Sequence, residues 1–110
     1  MSKELEAEIQ RKGLTKPRIT NDTIDVLMAT VRYETWVVPG TATTVAVAIL
    51  PIGDINWTIA TQYASAVSIE NFDAGLGRDV AIKKVAHTAK KKLWELEGYA
   101  LAKALAATPS

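Results

Sequence analysis

Thr43-Thr44-Val45-Ala46-Val47-Ala48-Ile49-Leu50 decides the architecture. The residues alternate in size as well as in side. Val45, Val47 and Ile49 fall on one face of a strand, and Ala46, Ala48 and Leu50 fall on the other, because successive side chains of an extended chain point in opposite directions. A face lined with alanine leaves room for something to pack closely on it, and a helix fits that space. Outward from this strand, Pro51-Ile52-Gly53-Asp54-Ile55 reads as a turn with Gly53 free to take positive φ. Residues 56–66 read as the return strand, with Trp57, Ile59 and Tyr63 expected on one face. Pro39-Gly40 is a second turn, which makes Trp36-Val37-Val38 a candidate third strand.

Helical patterns flank the sheet. Residues 2–12 read as a short polar helix capped by Ser2 and stopped by Gly13, with Leu5 and Ile9 on one side. A second helix starts at Asn21 or Asp22 behind good capping residues. It buries Ile24, Leu27, Met28 and Val31 and is expected to end near Tyr33. The third helix is long. Ser68 is its expected cap, Gly75, Gly77 and Gly98 are expected breaks, and Ile82, Val85, Ala86, Ala89, Leu93 and Leu96 form its apolar stripe. The resulting fold class is α+β: an N-terminal helix, a short antiparallel hairpin or sheet, and a long C-terminal helix packed on one sheet face. Residues 1–16 read as a loosely docked polar arm and residues 17–110 as a single domain.

Composition narrows the function classes. The chain has 110 residues and is 48% hydrophobic, enough for one modest core, and a domain this small gains from self-association, so a homo-oligomer is expected. Net charge is +1, which argues against a general nucleic-acid coat but leaves room for a local basic patch. The absence of cysteine removes disulfides and thiolate metal sites and suits a cytosolic protein. No apolar stretch follows the charged N-terminus, so no signal peptide is expected, and the apolar run 45–52 is too short to span a bilayer, so no membrane partner is expected.

No catalytic set emerges. His87 is the sole histidine, and no nucleophile triad, phosphate loop or zinc spacing is present, so the reading is non-enzymatic, with no metal or cofactor. The third helix instead offers a crowded basic side. On a helical wheel Lys83, Lys84, His87, Lys90 and Lys91 share one flank with Trp94, and lysines beside an aromatic ring can hold a phosphate and stack a base. A solvated face whose lysine stems cover Trp94, or burial of Trp94 against a subunit or the arm, are the plainer readings of the same residues. Arg78 falls near the apolar stripe, where it needs a carboxylate such as Asp73, Asp79 or Glu97, or reads an anion at a pocket mouth. The candidate ligand-binding residues are therefore Arg78, Lys83, Lys84, His87, Lys90, Lys91 and Trp94. Residues 94–99 read most simply as a packing corner in which Gly98 allows close approach.

Several stretches together resemble a known family. Pro17-Arg-Ile-Thr20, the Pro39-Gly-Thr41 turn, and Asn71-Phe-Asp73 followed by Gly77-Arg78 and Trp94-x-Leu-Glu-Gly-Tyr-x-Leu101 resemble the gp-forty-nine/gene-sixty-six family of small tailed-phage proteins over roughly residues 17–105. The chain departs from that pattern at Ile52-Gly-Asp-Ile55, where the family often has Asn-Gly, and at Gln62-Tyr-Ala-Ser65, where it tends to have a Gly-Glu-Ser-like stretch. The resemblance implies a phage accessory protein acting in the cytoplasm of an infected bacterium. It includes anti-defence factors that sequester cyclic nucleotide signals, and it carries no transferable catalytic mechanism. The expected function is binding and neutralising a host component, either a defence protein or an anionic nucleotide-type signal. A nucleic-acid-binding regulator and a structural protein of the phage particle are the alternatives.

Overall fold

A computed structural model of the chain describes residues 3–11 and 17–107. The elements run α1 (Lys3–Arg11), α2 (Asn21–Met28), β1 (Arg32–Val37), β2 (Thr43–Ile52), β3 (Ile55–Ser65), a short 3-10 turn (Ile69–Asn71) and α3 (Ala74–Ala107). The three strands form one antiparallel sheet in the order β1-β2-β3, and α3 packs across one of its faces. The α+β architecture is the one the alternation of β2 demands.

The alanine face is the seat of α3. Ala42, Thr44, Ala46, Ala48 and Leu50 of β2 and its lead-in are all buried, and Ala81, Val85, Ala89 and Leu93 of α3 are buried against them in a core that also takes Ile24 and Ile59. Small side chains on both partners let the helix come close. The larger anchors, Ile24, Ile59, Val85 and Leu93, each contribute roughly 1.5–3 kcal/mol of burial. Among the glycines of α3, Gly77 makes the close approach. A Cβ there would lie 2.9 Å from Thr44 Oγ1 and 3.3 Å from the Phe72 ring. Gly77 is therefore a close-approach residue and not a break, and its N–H still donates to Asp73 O at 2.9 Å.

Several expectations are corrected by this packing. α3 runs unbroken through Gly75, Gly77 and Gly98, because burial of its stripe outweighs the weak helix propensity of glycine. Its cap is Asp73, whose Oδ1 accepts from Leu76 N–H at 2.8 Å, while Ser68 only precedes the 3-10 turn and makes no side-chain cap bond. α2 begins where expected, with Thr20 Oγ1 accepting from Thr23 N–H at 3.2 Å, but it ends at Met28. The β-rich run 32–37 pairs along its whole length with β2, so the third strand is longer than Trp36–Val38 and takes Tyr33 out of the helix. The Ser2 cap and the Gly13 stop lie outside the described residues.

The return strand carries a bulge. Pairing shifts between Ala48↔Ala60 and Ile49↔Thr58, leaving Ile59 as an extra residue. Ile59 and Ala60 are consequently both buried. Trp57 lies on the helix side opposite Leu50, whereas Tyr63 pairs with Val45 on the other face, so Trp57, Ile59 and Tyr63 do not share one face as strict alternation implies. That other face of the sheet carries the row Trp36–Val45–Tyr63 and, among the described residues, no helix.

Two of the three glycines of α3 give a test of opposite signs. Gly77→Ala is expected to lose about 1–3 kcal/mol to overpacking against Thr44. Gly98→Ala, where a Cβ meets nothing within 4 Å, is expected to gain up to about 1 kcal/mol. Urea unfolding of both variants checks the pair; equal shifts of one sign contradict the packing.

Candidate functional site

Four-residue spacing aligns Lys84, Thr88 and Lys92 along the seam between α3 and β3. Each meets β3. Lys84 Nζ donates to Tyr63 O at 2.7 Å and lies 5.3 Å from the centre of the Tyr63 ring. Thr88 Oγ1 accepts from Gln62 Nε2 at 3.1 Å and donates to Lys84 O at 3.1 Å. Lys92 Nζ stands 6.0 Å from the Trp57 ring. Just outside this row run Lys83, His87 and Lys91, all exposed.

Together they form a basic ledge with two shallow hollows. One, of about 490 Å³, is lined by Gln62, Val80, Lys83, Lys84, His87 and Thr88. The next, of about 320 Å³, is lined by His87, Thr88, Lys91, Lys92 and Glu95. They share His87 and Thr88, so they form one groove. Glu95 is the single carboxylate among its lining residues. The groove offers cationic donors, an amide and a hydroxyl; the Tyr63 and Trp57 rings lie outside its lining, next to Lys84 and Lys92. Such a set has the chemistry to hold an anion, and among the lining residues no nucleophile is paired with a base.

Of the residues singled out from sequence, Lys83, Lys84, His87 and Lys91 come together here. Arg78, Lys90 and Trp94 do not. Arg78 is exposed and stands 3.7 Å from Asp79, so it is not the buried arginine the wheel implies. Lys90 Nζ points to Asp25 of α2 at 4.0 Å. Trp94 is half-buried and packs on the core. One geometric fact accounts for Arg78 and Trp94. The buried residues Ala81, Val85, Ala89 and Leu93 recur every four positions, and a turn holds 3.6, so the buried direction advances about 40° at each step and about 120° over the stripe. A fixed wheel ignores that rotation. It places Arg78 on the stripe and Trp94 off it, when the twisted sheet and α2 reverse both. Gln62, Thr88, Tyr63 and Trp57 were missed because only the β3 register brings Gln62, Tyr63 and Trp57 within reach of Thr88, Lys84 and Lys92 on α3; the Lys84/Thr88/Lys92 spacing is the signal that was available.

Elsewhere, an apolar cleft of about 220 Å³ opens beside the start of α3, lined by Ala42, Ala64, Phe72, Leu76, Gly77 and Val80 among others. Among the described residues no cluster of three or more histidines and carboxylates forms a metal site, and no helix is long and apolar enough to cross a membrane.

Fold and ledge define a small α+β unit with a cationic seam. The family described as "Phage protein (N4 Gp49/phage Sf6 gene 66) family" matches residues 19–105, and the chain belongs to that family of phage proteins. No curated protein and no solved structure matches the chain.

The match begins after α1, and a clasp at Glu6 fastens α1 to the domain. Glu6 Oε1 accepts from Asn21 N–H at 2.8 Å, and Glu6 Oε2 lies 2.7 Å from the Arg18 guanidinium. The Asn21 N–H bond first, and then Arg18, hold the Glu6 carboxyl below its ordinary value of 4.5. A depressed carboxylate stabilises the folded form above the ordinary pKa and loses that contribution as pH falls through the folded value. The Asn21 amide is therefore expected to follow Glu6 in an NMR pH titration with a midpoint below 4.5, and Glu6→Gln removes the transition. A midpoint at the ordinary value contradicts the clasp.

Proposed function

We propose that this phage protein is a non-enzymatic binder that neutralises an anionic host component, and that the α3/β3 ledge is its contact surface. The observation that carries the reading is the ledge itself. Lys83, Lys84, His87, Lys91 and Lys92 converge on one groove with a single facing carboxylate, in a chain whose net charge is only +1. Cationic side chains are costly to crowd, so a row of them with little compensation favours an anionic occupant. Beyond the lining of the groove, Lys84 and Lys92 each stand beside an aromatic ring, Tyr63 and Trp57, and lysine next to an aromatic ring suits a nucleotide-type signal better than a simple oxyanion. Action within an infected bacterial cell follows from the same reading.

Calorimetry against cyclic nucleotides and ADP-ribose derivatives tests the proposal, with short oligonucleotides as a separate arm. Binding of one small ligand class is expected. Lys83→Glu/Lys91→Glu weakens it by about tenfold or more, a loss of at least about 1.4 kcal/mol. Lys90→Glu, on the α2 side of the helix, leaves affinity within about twofold, the small effect expected of a charge outside the contact. Absence of heat with every compound, or equal losses for the two variants, contradicts the assignment. Binding confined to oligonucleotides with a steep salt dependence replaces it with a nucleic-acid function.

A further inference from the structure

The sheet ends in two edges, and α3 closes only one of them. Val38 N–H donates to Thr43 O at 2.9 Å, which fixes the parity of the β1–β2 ladder: Arg32, Glu34 and Trp36 turn their backbone groups to β2, and Tyr33, Thr35 and Val37 turn theirs outward. On the far side, Ala66 N–H donates to Ala42 O at 3.0 Å, so Thr61, Tyr63 and Ser65 face out from β3. There Lys84 Nζ occupies Tyr63 O, and a lysine on an edge is a standard obstacle to strand addition. α3 lies over β2 and β3 far more than over β1, so its lysines reach the β3 edge alone. Among the described residues no side chain bonds the outward groups of Tyr33, Thr35 and Val37.

We propose that the β1 edge is a self-association surface, on which a second copy of this chain adds its own β1 antiparallel about a twofold axis through Tyr33. Outward groups must meet outward groups, so the axis passes through one of the residues of β1, from Arg32 to Val37, and only an axis on Tyr33 sets Arg32 opposite Glu34. Charge selects among these. An axis on Glu34 sets two carboxylates opposite each other, and an axis on Thr35 sets Glu34 against Trp36 and leaves Arg32 without an acid. The axis on Tyr33 places Arg32 opposite Glu34 of the second copy, twice. Opposite charges directly across a strand pair stabilise it and like charges destabilise it. Arg32 and Glu34 are both exposed, and neither is ion-paired within the described residues. A twofold contact of this kind uses the same patch on both copies and closes at two, while Lys84 blocks continuation from the other edge.

Sedimentation equilibrium tests the surface. The wild-type chain is expected to show a concentration-dependent species of twice the 11.9 kDa chain mass. Arg32→Glu, which sets like charges opposite, weakens the dimer by about tenfold or more, and Arg32→Glu/Glu34→Arg restores it to within about threefold. Lys83→Glu/Lys91→Glu leaves the dimer unchanged, which separates this contact from the ledge. Circular dichroism confirms that each variant is folded. A wild-type monomer at every concentration, a dimer indifferent to Arg32→Glu, or a double variant that stays weak overturns the proposal.

Discussion

Everything in this molecule rests on how closely α3 can approach β2. The contact is made of small groups on both sides, Ala46 and Ala48 beneath Ala81 and Ala89, with Gly77 set down on Thr44 at one end. Such a contact depends less on the hydrophobic surface of any one side chain than on many short van der Waals distances at once, so it tolerates little change in volume. It also sacrifices something. Thr44 Oγ1 is buried beneath Gly77 with no hydrogen-bond partner among the described residues, a cost that the close approach carries.

The seat dictates the surface. A helix seated this deep over β2 and β3 brings its flank level with the β3 edge, and only then can Lys84 reach Tyr63 O, Thr88 meet Gln62 and Lys92 cover Trp57. The same placement leaves β1 at the periphery with its outer groups open. The cationic ledge and the unguarded edge are thus two consequences of one off-centre helix. Lys84 belongs to both: it lines the ledge and closes the strand edge beneath it.

Much of this was legible in the chain. Alternation from Thr43 to Leu50 gave the strand, its alanines announced a helix, and Thr20 marked the start of α2. The residues that misled did so for definable reasons. Gly75, Gly77 and Gly98 read as breaks because propensity is local, whereas the burial that overrides it is made with β2. Trp57 and Tyr63 read as one face because a bulge at Ile59 cannot be seen in a period of two. Four of the seven proposed ligand residues, Lys83, Lys84, His87 and Lys91, do share a groove. Arg78, Lys90 and Trp94 fell elsewhere, Arg78 and Trp94 because the buried stripe turns about the helix as the sheet twists. Gln62 and Thr88 carried no motif; their meeting across the seam exists only in three dimensions.

The central claim is that the alanine face of β2 is a tightly filled seat while the face behind it carries, among the described residues, no helix. Adjacent residues separate the two. Ala46→Leu and Val47→Leu add apolar volume one position apart, on opposite sides of the same strand. The measurement is the unfolding free energy of each by urea titration. The account predicts a loss of about 1–3 kcal/mol for Ala46→Leu and a change within about 0.5 kcal/mol for Val47→Leu. Equal losses at the two positions, or an Ala46→Leu protein as stable as the wild type, would contradict it.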